Sequence, residues 1–385
     1  MMRIGMFSNA YKPIISGVVR SISLFRKGLE DAGHFVALFA PEGRGYEDDE
    51  PFIFRYPALP LRMDYSFPVV VAPQITWLMP RLKLQVLHSH HPFILGKEAV
   101  NFSQALGVPL VFTFHTLYHE YTHYVGFETD IAKRLTKRLV GDYANQAHRI
   151  IAPSARVLDL LPEYRIERPV DILPTPVDLS AFPPRRRQPL SNENRKVLVY
   201  VGRVAKEKNL AFLLRVFARV AKEDDALYLK LVGGGPELDS LKKYAEELGI
   251  GARVTFLGAV PFEQVPQELL SADLFVFAST TETQGLVVLE AMAAGLPLVL
   301  VNSAALLESA RPGVDCLVSE VDEEAFAANI LTLVRNPARA RAMGRAARAN
   351  AERFSVPALT RRLLDIYQET IEDYHRSGKS RSPRS

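Results

Sequence analysis

Two glutamates carry the clearest chemical signal in this chain. Glu282 and Glu290 have seven residues between them in Glu282-Thr283-Gln284-Gly285-Leu286-Val287-Val288-Leu289-Glu290. The segment follows the apolar run Asp273–Ala278, a strand, and Gly285 is expected to open a helix whose first N–H groups have no partner within the helix. Glu290 lies about a turn and a half past Gly285, among Leu289, Ala291 and Met292. A carboxylate in such surroundings is costly unless it is paired or bound to a ligand. One glutamate at the helix mouth and one inside it can hold two hydroxylated parts of the same ligand. The plainer reading puts Glu290 on an exposed stripe; the glycine, the preceding strand and Glu282 weigh against it.

A second pattern is Gly202-Arg203-Val204-Ala205-Lys206-Glu207-Lys208-Asn209, between a strand and a helix that starts near Leu210. Arg203 can fork onto phosphate oxygens and Lys208 can supply a point charge, with the helix dipole adding to both. Solvated turn residues would look the same in isolation. A third pattern, Val232-Gly233-Gly234-Gly235-Pro236-Glu237, allows close backbone approach to a ligand or simply makes a tight turn. In the first half of the chain, Phe112-Thr113-Phe114-His115-Thr116 ends a strand on a histidine able to bond a hydroxyl or carry a proton near neutral pH. His115, His119 and His123 have the helical spacing of a metal site. No nearby carboxylate pattern completes such a site except Glu120, which falls on another face, so no metal is expected. His88, His90 and His91 cluster at another strand end, where a structural role serves equally well.

These residues need strands and helix starts to position them. Apolar runs recur at Arg3–Ser8, His34–Ala40, Phe52–Tyr56, Val86–Ser89, Pro109–Phe114, Arg149–Ala152 and Val170–Leu173, with helix-length segments between most of them. Continuous apolar strands alternating with helices indicate a parallel sheet covered on both faces. Right-handed crossovers place the loops after the strands on one sheet edge, where ligands bind. Pro183, Pro184, three arginines, Pro189, Ser191 and Asn192 then interrupt the pattern as a linker. The alternation restarts at Lys196–Gly202, Tyr228–Gly233, Arg253–Leu257, Asp273–Ala278 and Leu298–Val301. The expected class is therefore α/β, with two Rossmann-like doubly wound domains facing a cleft: residues 1–182, a linker at 183–194, and residues 195–356. A closing helix at 357–375 and a basic tail at 376–385 follow.

Composition narrows the function classes. The chain has 385 residues, too many for one compact core, and is 48% hydrophobic and 23% charged, as in ordinary globular proteins. Its single cysteine, Cys316, excludes an internal disulfide and a cysteine-built zinc site, and suits a reducing compartment. No stretch of about eighteen apolar residues escapes a charge, so no membrane-spanning helix is expected. A strand beginning by residue three leaves no room for a signal peptide, and a cytoplasmic location is expected. The net charge of +4 comes from the last eleven residues, His375 to Ser385, which carry Arg376, Lys379, Arg381 and Arg384 and no acid. Without them basic and acidic residues are equal in number. A nucleic-acid channel, which needs a charged folded face, is not expected; a weak attraction of the tail to an anionic membrane surface stays open.

Glu282 and Glu290 match the E-x7-E signature of retaining GT-B glycosyltransferases. With the Gly202–Asn209 and Val232–Pro236 patterns and His115 in order, the chain resembles glycosyltransferase family four along nearly its whole length. The resemblance implies that Arg203 and Lys208 bind the donor diphosphate, Glu290 the donor ribose and Glu282 the hydroxyls of the donor sugar. It implies backbone contacts to sugar or diphosphate near Gly234, Gln284, Gly285 and Leu286, and a sugar contact for His115 near the reacting centre. Gly17 is implied to let backbone N–H groups approach the diphosphate; this chain has Ser16-Gly17 where many family members carry paired glycines. Fixed cations and helix N-termini can stabilise the leaving diphosphate without a metal or other cofactor. By the same resemblance, attack occurs from the front face, with the departing phosphate taking the proton of the acceptor, and the closing helix crosses back to the first domain.

Within that family, His88-Ser89-His90-His91-Pro92-Phe93, His115-Thr116-Leu117-Tyr118 and Gln284, where many relatives have phenylalanine, resemble diacylglycerol glucosyltransferases, which are peripheral membrane enzymes using UDP-glucose. The implied reaction moves a hexose from a UDP-sugar to a lipid acceptor. Phosphatidylinositol, a lipid-linked glycan or a soluble sugar are alternative acceptors; a sugar-nucleotide epimerase and a non-catalytic nucleotide-sugar binder are readings from other classes. Residues 73–84, with Trp77, Leu78 and Met79 beside Arg81 and Lys83, read either as an interfacial segment or as a helix packed on the sheet. Lys133, Arg134, Lys137 and Arg138 form a basic helix face that solvent alone would also explain.

Overall fold

The structure is a computed structural model of the chain, and it describes all residues except 15, 44, 60–68, 71–77, 116–129, 185–193, 283 and 380–385. Residues 185–193 of the expected linker, 380–385 of the expected tail, Trp77 of the expected interfacial segment, and His119, Glu120 and His123 lie outside the described residues. Contacts divide the chain into two compact units, Met1–Pro176 with the chain from Val356 onward, and Val177–Ser355.

The first unit contains β1 (Arg3–Phe7), β2 (Phe35–Pro41), β3 (Ile53–Tyr56), β4 (Ala58–Leu59), β5 (Val69–Val70), β6 (Val86–Ser89), β7 (Leu110–Thr113), β8 (Arg149–Ala152) and β9 (Val170–Ile172). Its helices are α1 (Gly17–Asp31), α2 (Met79–Leu82), α3 (Ile94–Leu106), α4 (Asp130–Ala144) and α5 (Ala155–Leu160). Seven strands form one parallel sheet in the order β3-β2-β1-β6-β7-β8-β9. They are the seven apolar runs of the sequence; burial on both faces explains why the inner runs do not alternate with polar residues, while the edge strands β3 and β9 are only partly buried. The short β4 and β5 pair separately and antiparallel. Met79, Leu82 and Leu84 go into the core of this unit. That corrects the interfacial expectation for Met79: α2 spends its apolar side chains on the core, leaving Arg81 and Lys83 exposed.

The second unit contains β10 (Lys196–Val201), β11 (Leu227–Val232), β12 (Val254–Gly258), β13 (Leu274–Phe277), β14 (Leu298–Val301) and β15 (Cys316–Ser319). Its helices are α6 (Leu210–Val220), α7 (Leu238–Glu247), α8 (Val265–Leu270), α9 (Leu286–Ala293), α10 (Ala304–Leu307), α11 (Glu323–Val334) and α12 (Pro337–Ala351). The parallel order is β12-β11-β10-β13-β14-β15. Sequence patterning missed β15. It is a four-residue edge strand, and a run of that length between Asp315 and Glu320 carries little periodic signal.

The last helix, α13 (Val356–Lys379), belongs to the first unit, where it packs on α1. Arg149 of β8 holds Glu369 at 2.6 Å and Asp373 at 2.9 Å. The helix runs past Tyr374 to Lys379, so residues 376–379, expected in the tail, form its last turn. In both sheets the strand order reverses beside the first strand, between β1 and β6 and between β10 and β13. Such reversal points leave a crevice at the carboxyl ends of the strands.

Candidate functional site

The loops after β10 and β13 flank the reversal point of the second unit, and they carry the two strongest sequence patterns. Lys208 closes the loop after β10, ahead of α6; Glu282 closes the loop after β13, ahead of α9. The Lys208 ammonium donates to Glu282 Oε1 at 2.6 Å, with both side chains mostly buried. A cation and a carboxylate acceptor from segments 74 residues apart thus stand side by side.

Gly285 caps α9 in the left-handed conformation at φ 73°. A Cβ there would also lie 2.5 Å from Leu306 Cδ2, so conformation and space both require glycine. The turn lets the chain enter the helix directly from the Glu282 loop, with Gln284 buried and Leu286 half-buried at its start. Glu290 is 8% exposed, beside Leu289, Ala291 and Met292, which are fully buried. The exposed-stripe reading is therefore excluded.

Arg203 is half-buried in the loop after β10, and its carbonyl accepts the Tyr200 hydroxyl at 2.9 Å. Tyr200 stacks on Phe277 of β13, ring centroids 5.5 Å apart. Burial, reinforced by Glu282 and Glu207, holds its phenol well above the usual range, so it stays a neutral donor. Sequence reasoning missed this residue because a tyrosine inside a buried strand looks like core. The glycine-rich turn after β11 packs against the same loop: Val204 donates to the Gly234 carbonyl at 2.9 Å, and Glu237 to the Val204 carbonyl at 3.1 Å. A Cβ on Gly233 would fall 1.8 Å from the Gly202 carbonyl oxygen. The close approach that Gly233 permits is thus made by the chain itself.

In the first unit, His115 lies two residues beyond β7 and is half-buried. Its Nε2 is 2.9 Å from His90 Nδ1. His90 follows β6, the neighbouring strand, and its ring also lies against His88, centroids 4.2 Å apart. His88 Nε2 meets Thr113 Oγ1, and Nδ1 meets the Tyr367 hydroxyl of α13, both at 2.6 Å. Desolvation lowers the pKa of His88 to about 3 and of His91 to about 4, and pushes His90 and His115 well below the ordinary value. All four rings are neutral at pH 7. Gly17 is the first residue of α1, capped by the Ser16 hydroxyl, and a Cβ there would meet open space. Among the described residues no group of side chains is arranged to hold a metal ion.

Chemically, the second unit presents a fixed ammonium, a guanidinium-bearing loop, the N–H groups at the start of α9, and two carboxylates at different depths. The first three suit an anion that gains charge during reaction. The carboxylates suit hydroxyl groups, to which they can only accept hydrogen bonds.

Residues 15–181 match the Glycosyltransferase Family 4 model, and residues 182–350 match the model of Glycosyl transferases group 1. The alpha-monoglucosyldiacylglycerol synthases of Streptococcus pneumoniae and Acholeplasma laidlawii are each 32% identical to this chain. The alignments cover 77% of this chain and 70% of the first relative, and 78% of this chain and 80% of the second. The D-inositol 3-phosphate glycosyltransferase of Segniliparus rotundus is also 32% identical, across 74% of this chain and 66% of its own length. Among solved structures, sucrose-phosphate synthase from Thermosynechococcus elongatus has a TM-score of 0.75 at 19% identity, covering 97% of this chain and all of its own. Anabaena HepE, solved with UDP and glucose, has a TM-score of 0.71 at 17% identity, covering 95% of this chain and all of its own.

Proposed function

The chain belongs to the group 1, family four glycosyltransferases and has their GT-B fold; from this premise we propose that it transfers glucose from UDP-glucose to diacylglycerol, with retention, giving an α-glycoside. The observation that carries the reading is the Lys208–Glu282 pair at the mouth of α9, with Glu290 buried a turn and a half further along. In this reading Lys208 and Arg203 take the diphosphate, and the N–H groups at Gly285 and Leu286, beside Gln284 and Gly234, complete its cradle. Glu282 accepts from the sugar and Glu290 from the ribose. By resemblance to the family, Gly17 is read as a diphosphate contact and His115 as a sugar contact. As the sugar–phosphate bond breaks, negative charge grows on the leaving diphosphate, where fixed cations and helix-terminal N–H groups stabilise it without reorganising. The acceptor oxygen attacks the anomeric carbon from the face the diphosphate leaves, and a departing phosphate oxygen takes the acceptor proton.

A UDP donor is supported by the fold shared with HepE, whose structure holds UDP and glucose. The lipid acceptor is supported by the diacylglycerol synthases among the relatives and by an exposed face of α4. Ile131, Leu135 and Leu139, spaced by four, are 78%, 55% and 61% exposed, and Lys133, Arg134 and Arg138 are exposed on the same helix. Lys137 is held by Glu163. An apolar stripe in water beside exposed basic side chains, one of which, Arg138, pairs with Asp142 at 3.9 Å, suits an anionic lipid surface, with the aliphatic side chains in the headgroup zone and the charges on phosphates. No helix among the described residues is long and apolar enough to cross a membrane; contact through α4 does not require one.

Incubation of the purified protein with UDP-glucose and anionic vesicles containing diacylglycerol, followed by mass spectrometry of the lipid extract, tests the proposal. A hexosyl-diacylglycerol product supports it. UDP release without a glycolipid rejects the acceptor; parallel vesicles carrying phosphatidylinositol test the other lipid, and soluble D-inositol 3-phosphate tests the acceptor class in the third relative's name.

A further inference from the structure

His90 is buried, at 1% exposure, and its Nε2 has no hydrogen-bond partner among the described residues. Its other nitrogen, Nδ1, faces His115 Nε2 at 2.9 Å. Both rings sit on braced backbone: the His90 N–H donates to the Phe7 carbonyl of β1 at 2.9 Å, and the N–H of Phe114 to the Ile151 carbonyl of β8 at 2.8 Å. Their separation is therefore set by the sheet rather than by side-chain drift.

Two neutral imidazoles that share one hydrogen bond have two arrangements. If His115 Nε2–H donates, His90 Nδ1 is the acceptor, and the proton of His90 sits on Nε2, buried with nothing to receive it. If His90 Nδ1–H donates, the group left over at His90 Nε2 is only a lone pair. Orphaned buried N–H groups are rarer in folded proteins than under-used acceptors. The unpartnered Nε2 thus selects the second arrangement, in which His115 accepts at Nε2 and carries its own proton on Nδ1.

We propose that His90 is a positioning residue that fixes the tautomer and plane of His115, so that His115 presents Nδ1–H as a donor. The significance for catalysis rests on the sugar-binding role read for His115 above; the tautomer itself does not. A ring presented as a donor bonds an oxygen lone pair, whereas the other tautomer would offer only an acceptor at that nitrogen, a difference felt whenever hydroxyl geometry decides alignment.

The test uses the full chain labelled with 15N-histidine and read by two-bond proton–nitrogen correlation at pH 7, with the signals assigned through His115→Ala and His90→Asn. Nδ1–H patterns for both rings support the proposal; an Nε2–H pattern for His115 overturns it. In turnover assays, His90→Leu is expected to lower kcat about 10- to 100-fold with the donor KM within about 2-fold. His90→Asn places an amide N–H where the imidazole Nδ1–H stood and is expected to regain most of that loss. Equal activity of the two variants, or full activity of His90→Leu, also overturns the proposal. Should His90→Leu not fold, wild-type spectra and the asparagine variant still decide. Should no UDP-sugar be turned over at all, the function reading falls while the spectra continue to test the tautomer.

Discussion

Replacing Lys208 by methionine separates ligand binding from structural support, because the two effects respond differently to a second substitution. The Lys208 and Glu282 side chains are 18% and 15% exposed and 2.6 Å apart. Such a pair stands between a surface ion pair, worth roughly 0–1 kcal/mol, and a fully buried one, whose breakage costs about 3–5 kcal/mol. Lys208→Met should therefore destabilise the second unit by about 1–3 kcal/mol, largely because Glu282 is left as a lone, mostly buried carboxylate. Combining it with Glu282→Gln removes that charge and should recover about half of the loss, since a neutral amide is cheaper to bury. UDP affinity should behave otherwise. A charge-assisted hydrogen bond to phosphate contributes about 1.5–3 kcal/mol, so Lys208→Met should weaken UDP binding about 10- to 150-fold. The double variant should stay equally weak, because UDP has no sugar for Glu282 to hold. Glu282→Gln alone should not weaken it. Urea unfolding followed by fluorescence measures the first quantity, and titration calorimetry with UDP at fixed ionic strength the second. A double variant that binds UDP as the wild type does would make Lys208 a structural residue and refute the assignment.

Gly285→Ala forces a side chain into left-handed backbone and against Leu306; a loss of about 1–2 kcal/mol is expected from conformation alone, only partly relieved by adding Leu306→Ala, and urea unfolding of both would show it. For pH, the buried histidines have folded-state pKa values below their unfolded one, so the unfolded state binds more protons and stability falls as pH drops below the ordinary histidine value, down toward the folded values of about 3 for His88 and 4 for His91. Each should contribute a slope of up to about 1.4 kcal/mol per pH unit between pH 6 and 5, before most carboxylates titrate; His88→Gln should flatten the curve, and a wild-type melting temperature unchanged over that interval would contradict the burial argument. Leu135→Glu with Leu139→Glu should reduce sedimentation with anionic phospholipid vesicles by about tenfold or more while UDP affinity is kept; unchanged vesicle binding would remove α4 as the lipid-facing surface.

The sequence alone determined the class of the molecule. The seven apolar runs of the first half became seven parallel strands, because the inner strands, buried on both faces, are apolar at most positions, and that leaves a mark readable without coordinates. Glu290 was legible for a related reason: a carboxylate inside an apolar helix is conspicuous, and burial was the only alternative to an exposed stripe. Spacing along one segment gave Glu282, Gly285 and Glu290 together. Tertiary structure decided whatever depends on two segments meeting. It brought Lys208 to Glu282 across 74 residues, His90 to His115 across 25 and Tyr367 to His88 across 279, and it turned Met79 inward and left Leu135 and Leu139 in water. Hydrogen bonds act over about 3 Å between atoms whose separation along the chain is arbitrary. Local periodicity therefore specifies the strands and helices, while the partner that each side chain meets is fixed only once the sheet order has been laid down.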